Sequence, residues 1–400
     1  KPLQQQQQQQ QSPWEDVLSK VNKIVGKSSK SSASPSPSSS SSSSSLMLLS
    51  PQERRDLVLS RLNMTSSVEP RPFSIQPYSA IPSILGASLP AILRLGTGAF
   101  AEGYNIELGE KDSSKYTLLA IDGIDKQLVE SSRLVRSRTA TAATTNMEPL
   151  ILYDREGSAA CRLIREACSI LSLTVMIRPC PEKGLQFASA LRKNGQIDNL
   201  PILDDPNTGI SGLSNKDDNS DDTAAVTMIL NYLFKTYGNG ELPWTMKLQD
   251  DHDIISNGAP LVVPSSLLLL FTKVSTWLAM ASRLGSGSRY ETSDPPPLPL
   301  TLWSYEGSPF CKIVTERLGS LELEYKVIYC PRGSPNRQAL MDLTGNTTGT
   351  TGTTCTTSSR RFFQVPYLQD PNTGVDLWES SAICEYLTKQ YALETSVAYL

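Results

Sequence analysis

The chain is 400 residues long and carries 37 Lys and Arg against 40 Asp and Glu, a formal net charge of −3, so no basic excess steers it to nucleic acid. Hydrophobic residues make up 39%, below the roughly 45–50% of a globular domain on a count that also includes Gly, so part of the length stays outside any core. The only histidine is His252, in the polar run Gln249–Asp253. A Ser-His-Asp triad, a multi-histidine zinc site or a Cys-His protease pair would each have to use it, and no metal site is expected.

From the amino terminus, Gln4–Gln11 and Ser38–Ser45 are homopolymer runs. They cannot bury enough apolar surface to offset chain entropy, so residues 1–70 are expected to be a disordered low-complexity region. Within it Trp14, Val17, Leu18, Val21, Ile24 and Val25 fall on one helical face, which reads as a transient helix or as a docking helix. The Ser-rich stretch with Lys20, Lys23, Lys27 and Lys30 and few acids has the composition of an organelle transit segment. Residues 90–140 are expected to form a β-hairpin extension, with strand-like runs Tyr104–Leu108 and Tyr116–Ile121 around a polar turn at Lys111–Lys115. Thr139–Thr145 then reads as a short polar linker.

An internal repeat organises the rest. Pro149-Leu150-Ile151-Leu152-Tyr153 followed by Glu156-Gly157-Ser158-Ala159-Ala160-Cys161 recurs as Pro299-Leu300-Thr301-Leu302-Trp303 followed by Glu306-Gly307-Ser308-Pro309-Phe310-Cys311, at an offset of 150 (311 − 161). Cys180-Pro181 recurs as Cys330-Pro331, and Asp205-Pro206-Asn207-Thr208-Gly209 as Asp370-Pro371-Asn372-Thr373-Gly374. Two copies of one domain are expected, at residues 149–239 and 299–393. Polar insertions at Thr344–Thr357 and Asn215–Asp222 fit exposed loops. In the second copy the reading is strand Leu300–Ser304, helix Ser308 to about Gly319, strand Tyr325–Tyr329, a long loop, strand Phe363–Leu368, strand Val375–Trp378 and helix Ser380–Gln390, that is β-α-β, loop, β-β-α. Residues 240–298 form the linker. Its apolar stretch Leu261–Ala281, interrupted by Lys273, reads as a buried or interface helix, with a single span or membrane-surface helix as the alternative.

Ser308-Pro309-Phe310-Cys311 after the first strand, Val365-Pro366-Tyr367 before the third, and Glu379-Ser380 opening the last helix together resemble the thioredoxin-like fold. Within it they resemble the amino-terminal, glutathione-binding domain of glutathione transferases, with glutaredoxins as near relatives. The doublet, with Cys330–Asn336 and an apolar linker, is similar to tandem proteins of plant and algal plastids. The resemblance implies an α/β chain of two tandem thioredoxin-like domains, a plastid location and glutathione as co-substrate. Ser308 sits where an N-cap belongs and Pro309 where N1 belongs, so a helix should start there with its positive end toward a bound sulfur or anion. In serine-type transferases a hydroxyl at this place hydrogen-bonds the glutathione thiolate, a role the resemblance gives to Ser308. It further implies that Pro366 is cis, that the Val365 backbone pairs with the cysteinyl part, and that Glu379 and Ser380 hold the γ-glutamyl group. Read without the resemblance, Ser308 and Ser380 are good helix caps and Glu379 is a helix-start acid.

Seven cysteines with no C-x-x-C fit a reducing compartment better than a disulfide framework. Cys311 takes the second cysteine place of a glutaredoxin-like motif whose first is Ser308, and reads either as a buried structural residue or as a glutathione-reactive thiol. The first copy keeps Ser158 and Leu200-Pro201 but has Ala225-Val226 where the second has Glu379-Ser380, so it reads as degenerate, structural or protein-binding. The expected function is glutathione binding with transferase-like or monothiol glutaredoxin-like chemistry at Ser308 and Cys311. The alternative is a noncatalytic scaffold for a protein partner or a membrane surface.

Overall fold

In a computed structural model of the chain, the structure describes residues 50–64, 81–93, 104–110, 119–120, 126–132, 147–214, 222–239, 243, 246–249, 261–264, 266–345 and 363–393. The homopolymer runs, the Trp14–Val25 face, the transit-like segment, the Thr139–Thr145 linker, His252 and Cys355 lie outside them. Ser50–Leu400 makes one compact unit.

Helix α1 (Pro51–Arg61) corrects the expectation of disorder throughout 1–70. Ser50 caps it, and the Glu53 carboxylate accepts from the Ser50 amide at 3.0 Å, a reciprocal capping box with Pro51 at the first helical position. Val58 and Leu59 are buried, so this turn of chain has an apolar face to bury. Helix α2 (Ile81–Leu93) packs on two later helices. A Cβ at Gly86 would come within 2.4 Å of Ser282 Oγ, so a larger residue would need the Ser282 side chain to move. Strand β1 (Tyr104–Glu110) pairs antiparallel with β3 (Lys126–Ser132), and the two-residue β2 (Leu119–Ala120) pairs with the other side of β3. The expected direct pairing of Tyr104–Leu108 with Tyr116–Ile121 is therefore wrong: Lys126–Ser132 is the central strand.

The first repeat continues as β4 (Leu150–Asp154), α3 (Ala159–Ile170), β5 (Thr174–Pro179), α4 (Phe187–Lys193), β6 (Ile202–Asp205), β7 (Ile210–Leu213) and α5 (Asp222–Tyr237). Between the repeats come the antiparallel pair β8 (Met246–Gln249) and β9 (Leu261–Pro264), then α6 (Ser266–Ser282). The second repeat has the same order: β10 (Leu300–Ser304), α7 (Pro309–Ser320), β11 (Tyr325–Tyr329), α8 (Pro335–Gly345), β12 (Tyr367–Asp370), β13 (Val375–Trp378) and α9 (Ser380–Tyr391). The stretch expected to be a long loop thus carries a helix in each repeat, α4 and α8. The apolar segment expected as one helix from Leu261 is a strand up to Pro264 and a helix only after it. Among the described residues, no helix is long and apolar enough to cross a membrane.

All eight repeat strands form one mixed α/β sheet in the order β13-β12-β10-β11-β5-β4-β6-β7. Within each half a crossover helix separates two parallel strands, and a hairpin is added antiparallel to the first strand. The halves meet antiparallel through β5 and β11, with Met176 opposite Lys326 and Val175 opposite Val327. Met176 and Lys326 hold the same place in the two repeats (326 − 176 = 150), so the seam is a local two-fold in which each half covers the other's edge strand. Val175, Ile177, Tyr325 and Val327 are buried beneath it.

Charges fill the helix layer along this seam. Arg165 of α3 is fully buried and pairs with Asp154 at 2.5 Å, Glu156 at 3.2 Å and, from the other repeat, Glu306 at 3.4 Å. Lys312 of α7 pairs back to Glu156, and Arg283, just past α6, pairs with Glu316 of α7. Arg283 also donates to the Gly86 carbonyl at 2.7 Å, which ties α2 to the same cluster.

The two Asp-Pro-Asn-Thr-Gly turns are anchors rather than plain hairpin turns. Asp370 accepts from Tyr386 and Tyr391 of α9 at 2.5 Å each and from the Asn372 amide at 2.8 Å. Asp205 does the same with Tyr232 and Tyr237 of α5 and with Asn207. Burial pushes the Asp205 carboxyl up, but these bonds outweigh it and hold the group below its ordinary value of 3.8. The stability it contributes is present above that value and is lost as pH falls through the lowered one. Asp370→Ala removes the acceptor that two buried tyrosine hydroxyls share, with Thr373 left to Tyr386, and we expect it to cost about 3 kcal/mol. Urea denaturation of the full chain measures this, and a loss confined to the noise would refute the anchoring role.

Candidate functional site

Register places the site. Trp303 of β10 lies opposite Tyr367 of β12, which lies opposite Trp378 of β13. The chain leaving β10 reaches Ser308 four residues after Ser304, the chain entering β12 is Val365-Pro366, and the chain leaving β13 is Glu379-Ser380. All three therefore stand at one end of three adjacent strands. Beneath them Tyr367 and Trp378 stack with ring centroids 4.3 Å apart.

Ser308 is the N-cap of α7. Its Oγ accepts from the Cys311 amide at 3.4 Å, and its hydroxyl also stands beside the Cys311 thiol. Pro309 occupies the first helical position, where its missing N–H costs nothing. The Val365-Pro366 peptide is cis, as is Leu200-Pro201 in the first repeat. Ser308, Val365, Glu379 and Ser380 are all partly exposed.

Glu379 has φ of 69°, a left-handed conformation that costs a non-glycine residue free energy and that the surrounding structure must hold. One such hold is Gln364, whose Nε2 donates to Glu379 Oε1 at 2.6 Å. The Oε1 of Gln364 is buried with no hydrogen-bond partner, an acceptor whose cost a ligand donor would relieve. Sequence reasoning missed Gln364, although it directly precedes Val365-Pro366. It also missed Arg337, buried 4.5 Å above the Phe363 ring with Nε donating to the Cys330 carbonyl at 3.1 Å.

Cys311 stands apart from this group. It is 1% exposed in the interior of α7, and burial pushes its thiol up from the ordinary value, against hydrogen bonds from Ser308, Tyr305 and Ser304. A thiol so placed holds its proton at neutral pH. Cys330 is buried, with Sγ donating to the Ile328 carbonyl at 3.4 Å, and Cys180 bonds to the Arg178 carbonyl in the same way at 3.5 Å. Among the described residues, no group of His, Cys, Asp and Glu could hold a metal ion.

In the first repeat, Tyr232 bonds to Thr208 and Asp205 as Tyr386 bonds to Thr373 and Asp370. This equivalence puts Ala225 and Val226 in the places of Glu379 and Ser380, so the polar end of the site is missing there. Comparison with protein-family models, with curated proteins and with solved structures finds no match to the chain.

Proposed function

We propose that the two repeats are tandem thioredoxin-like domains and that the second binds glutathione and activates its thiol. The observation that carries this reading is the convergence of the Ser308 N-cap, the Val365-Pro366 segment, and Glu379 with Ser380 at one end of β10, β12 and β13. A thiolate would receive the Ser308 hydroxyl and the positive end of α7. The Val365 backbone would pair with the cysteinyl amide, as an added strand does. Glu379 would take the ammonium and the first turn of α9 the carboxylate of the γ-glutamyl group. The buried Cys311 favours this serine-centred chemistry over monothiol exchange. Helix α2 packs on α7, the helix that Ser308 caps.

Calorimetry of the full chain with glutathione tests the reading. We expect binding between tens of micromolar and millimolar, about 4–6 kcal/mol, weakened by about 1–3 kcal/mol in Ser380→Ala, where a charged group loses a partner. No heat and no thermal shift at saturating glutathione would sink it. A scaffold reading draws on a different observation, the exposed apolar face of α6 formed by Leu267, Leu270, Phe271, Val274 and Trp277, which suits a protein partner or a membrane surface.

A further inference from the structure

The first repeat holds a cavity of about 420 Å³ at the start of α3, lined by Ser158 and Val226 in the places of Ser308 and Ser380, toward the lower end of the roughly 300–1,000 Å³ of ligand sites. Three of its lining residues differ from their counterparts in the second repeat: Ala159 and Ala160 stand where it has Pro309 and Phe310, and Val226 stands where it has Ser380. Each of these replaces a ring or a polar group with a small or apolar side chain. Ser158 remains as the helix cap, bonded to the Cys161 amide at 3.3 Å.

Helix α6 closes the other side through Leu269, Thr272, Lys273, Thr276, Trp277 and Met280. A Cβ on Gly157 would sit 2.4 Å from Met280 Sδ, so glycine at this position allows α6 to lie close enough to form a wall. The body of the cavity is apolar, from Leu163, Val226, Leu269, Trp277 and Met280. Among the described residues no acid lines it, and Lys273, an exposed residue of α6, is the one charged residue of its lining. The first turn of α3 adds backbone donors of the same sign.

We propose that this cavity binds an amphipathic anion, a small molecule with an apolar ring-sized body and one anionic group held by Lys273. The apolar body displaces water from the lining, which supplies the affinity. The ammonium fixes which end of the molecule faces out, through a charge-assisted contact. The loss of both γ-glutamyl partners separates this ligand class from glutathione, so the site is independent of the one in the second repeat.

Fluorescence titration of the full chain with two probes of one shape tests this: 8-anilino-1-naphthalenesulfonate, and N-phenyl-1-naphthylamine, which lacks the sulfonate. Each should saturate one site per chain. Lys273→Gln should weaken the sulfonate by about 5–10-fold and leave the uncharged probe within about 2-fold. Ala160→Phe, which restores the ring of the second repeat, should abolish binding of both while leaving the heat of glutathione binding unchanged. Circular dichroism establishes that each variant is folded, and Leu269→Trp blocks the cavity from α6 should Ala160→Phe fail to fold. Unchanged binding in a folded, blocked variant would overturn the proposal. So would loss of binding in Leu270→Ser or Phe271→Ser, which would place the probe on the outer face of α6. Equal weakening of both probes by Lys273→Gln would overturn the assignment of an anion.

Discussion

Arg165→Leu is expected to lose about 3–5 kcal/mol of unfolding free energy at neutral pH, because a buried cation is removed while its carboxylate partners stay buried. Asp154, Glu156 and Glu306 all face Arg165, and leucine offers none of them a hydrogen bond. Urea denaturation of the full chain reads the loss. Burial already pushes the Glu306 carboxyl above its ordinary value of 4.5, with Arg165 opposing that rise. Without the guanidinium the carboxyl rises further, so the folded state keeps a proton that the unfolded state has released. Stability then falls as pH climbs above 4.5, and the penalty is larger at neutral pH than near that value. The second repeat shows a way round the charge, with Ser304 and Thr315 in the places of Asp154 and Arg165. The double variant Asp154→Ser, Arg165→Thr removes both ends of the closest pair and should recover part of the loss. A single variant as stable as the parent at every pH would show that the cluster contributes nothing net.

Much of the repeat was legible because its signals are local. The strands Leu300–Ser304, Tyr325–Tyr329 and Val375–Trp378 have the bounds expected from apolar runs between turn residues. Ser308 caps a helix because Ser-Pro before an apolar-periodic run fixes a helix start. What was not legible depends on chain brought from far away. Nothing local marks Arg162, Arg165 and Glu166 for burial, yet all three are buried, because Arg162 reaches Thr276 of α6 and Arg165 reaches Glu306 of the other repeat. Lys126–Ser132 has little apolar alternation, so nothing local marked it as the partner of Tyr104–Glu110. The helix at Pro51–Arg61 announced itself through Ser50-Pro51-Gln52-Glu53, but the serine-rich composition of the tail outweighed that signature. In the site, Gln364 matters only through Glu379, fifteen positions on. The cavity of the first repeat exists only once α6 has docked.

Ser308→Ala should slow conjugation of glutathione to a small aromatic electrophile by about 10–1000-fold, the effect of removing one donor aimed at a developing charge. Ser308 Oγ accepts from the Cys311 amide, and its hydroxyl proton, which stands beside the Cys311 thiol, would have to turn to a bound thiolate to stabilise it. Together with the positive end of α7 it should lower the pKa of the bound thiol from about 8.5, and the alanine variant should raise it again. Alanine also deletes the N-cap, which costs about 0.5–2 kcal/mol of stability. Ser308→Asp separates the two effects, because aspartate caps as well as serine but cannot donate. We expect it to restore the unfolding midpoint and leave conjugation slow. Were Ser308→Asp to restore the rate as well, the serine would be a cap and nothing more. Cys311→Ala serves as the counterpart. With the thiol buried and its pKa pushed up, the substitution should change conjugation by less than about 3-fold, within the cost of a small core change. If Cys311→Ala instead abolished glutathione-dependent reduction of a mixed disulfide while Ser308→Ala left every activity intact, the chemistry would belong to a monothiol that reaches solvent only when the first turn of α7 opens.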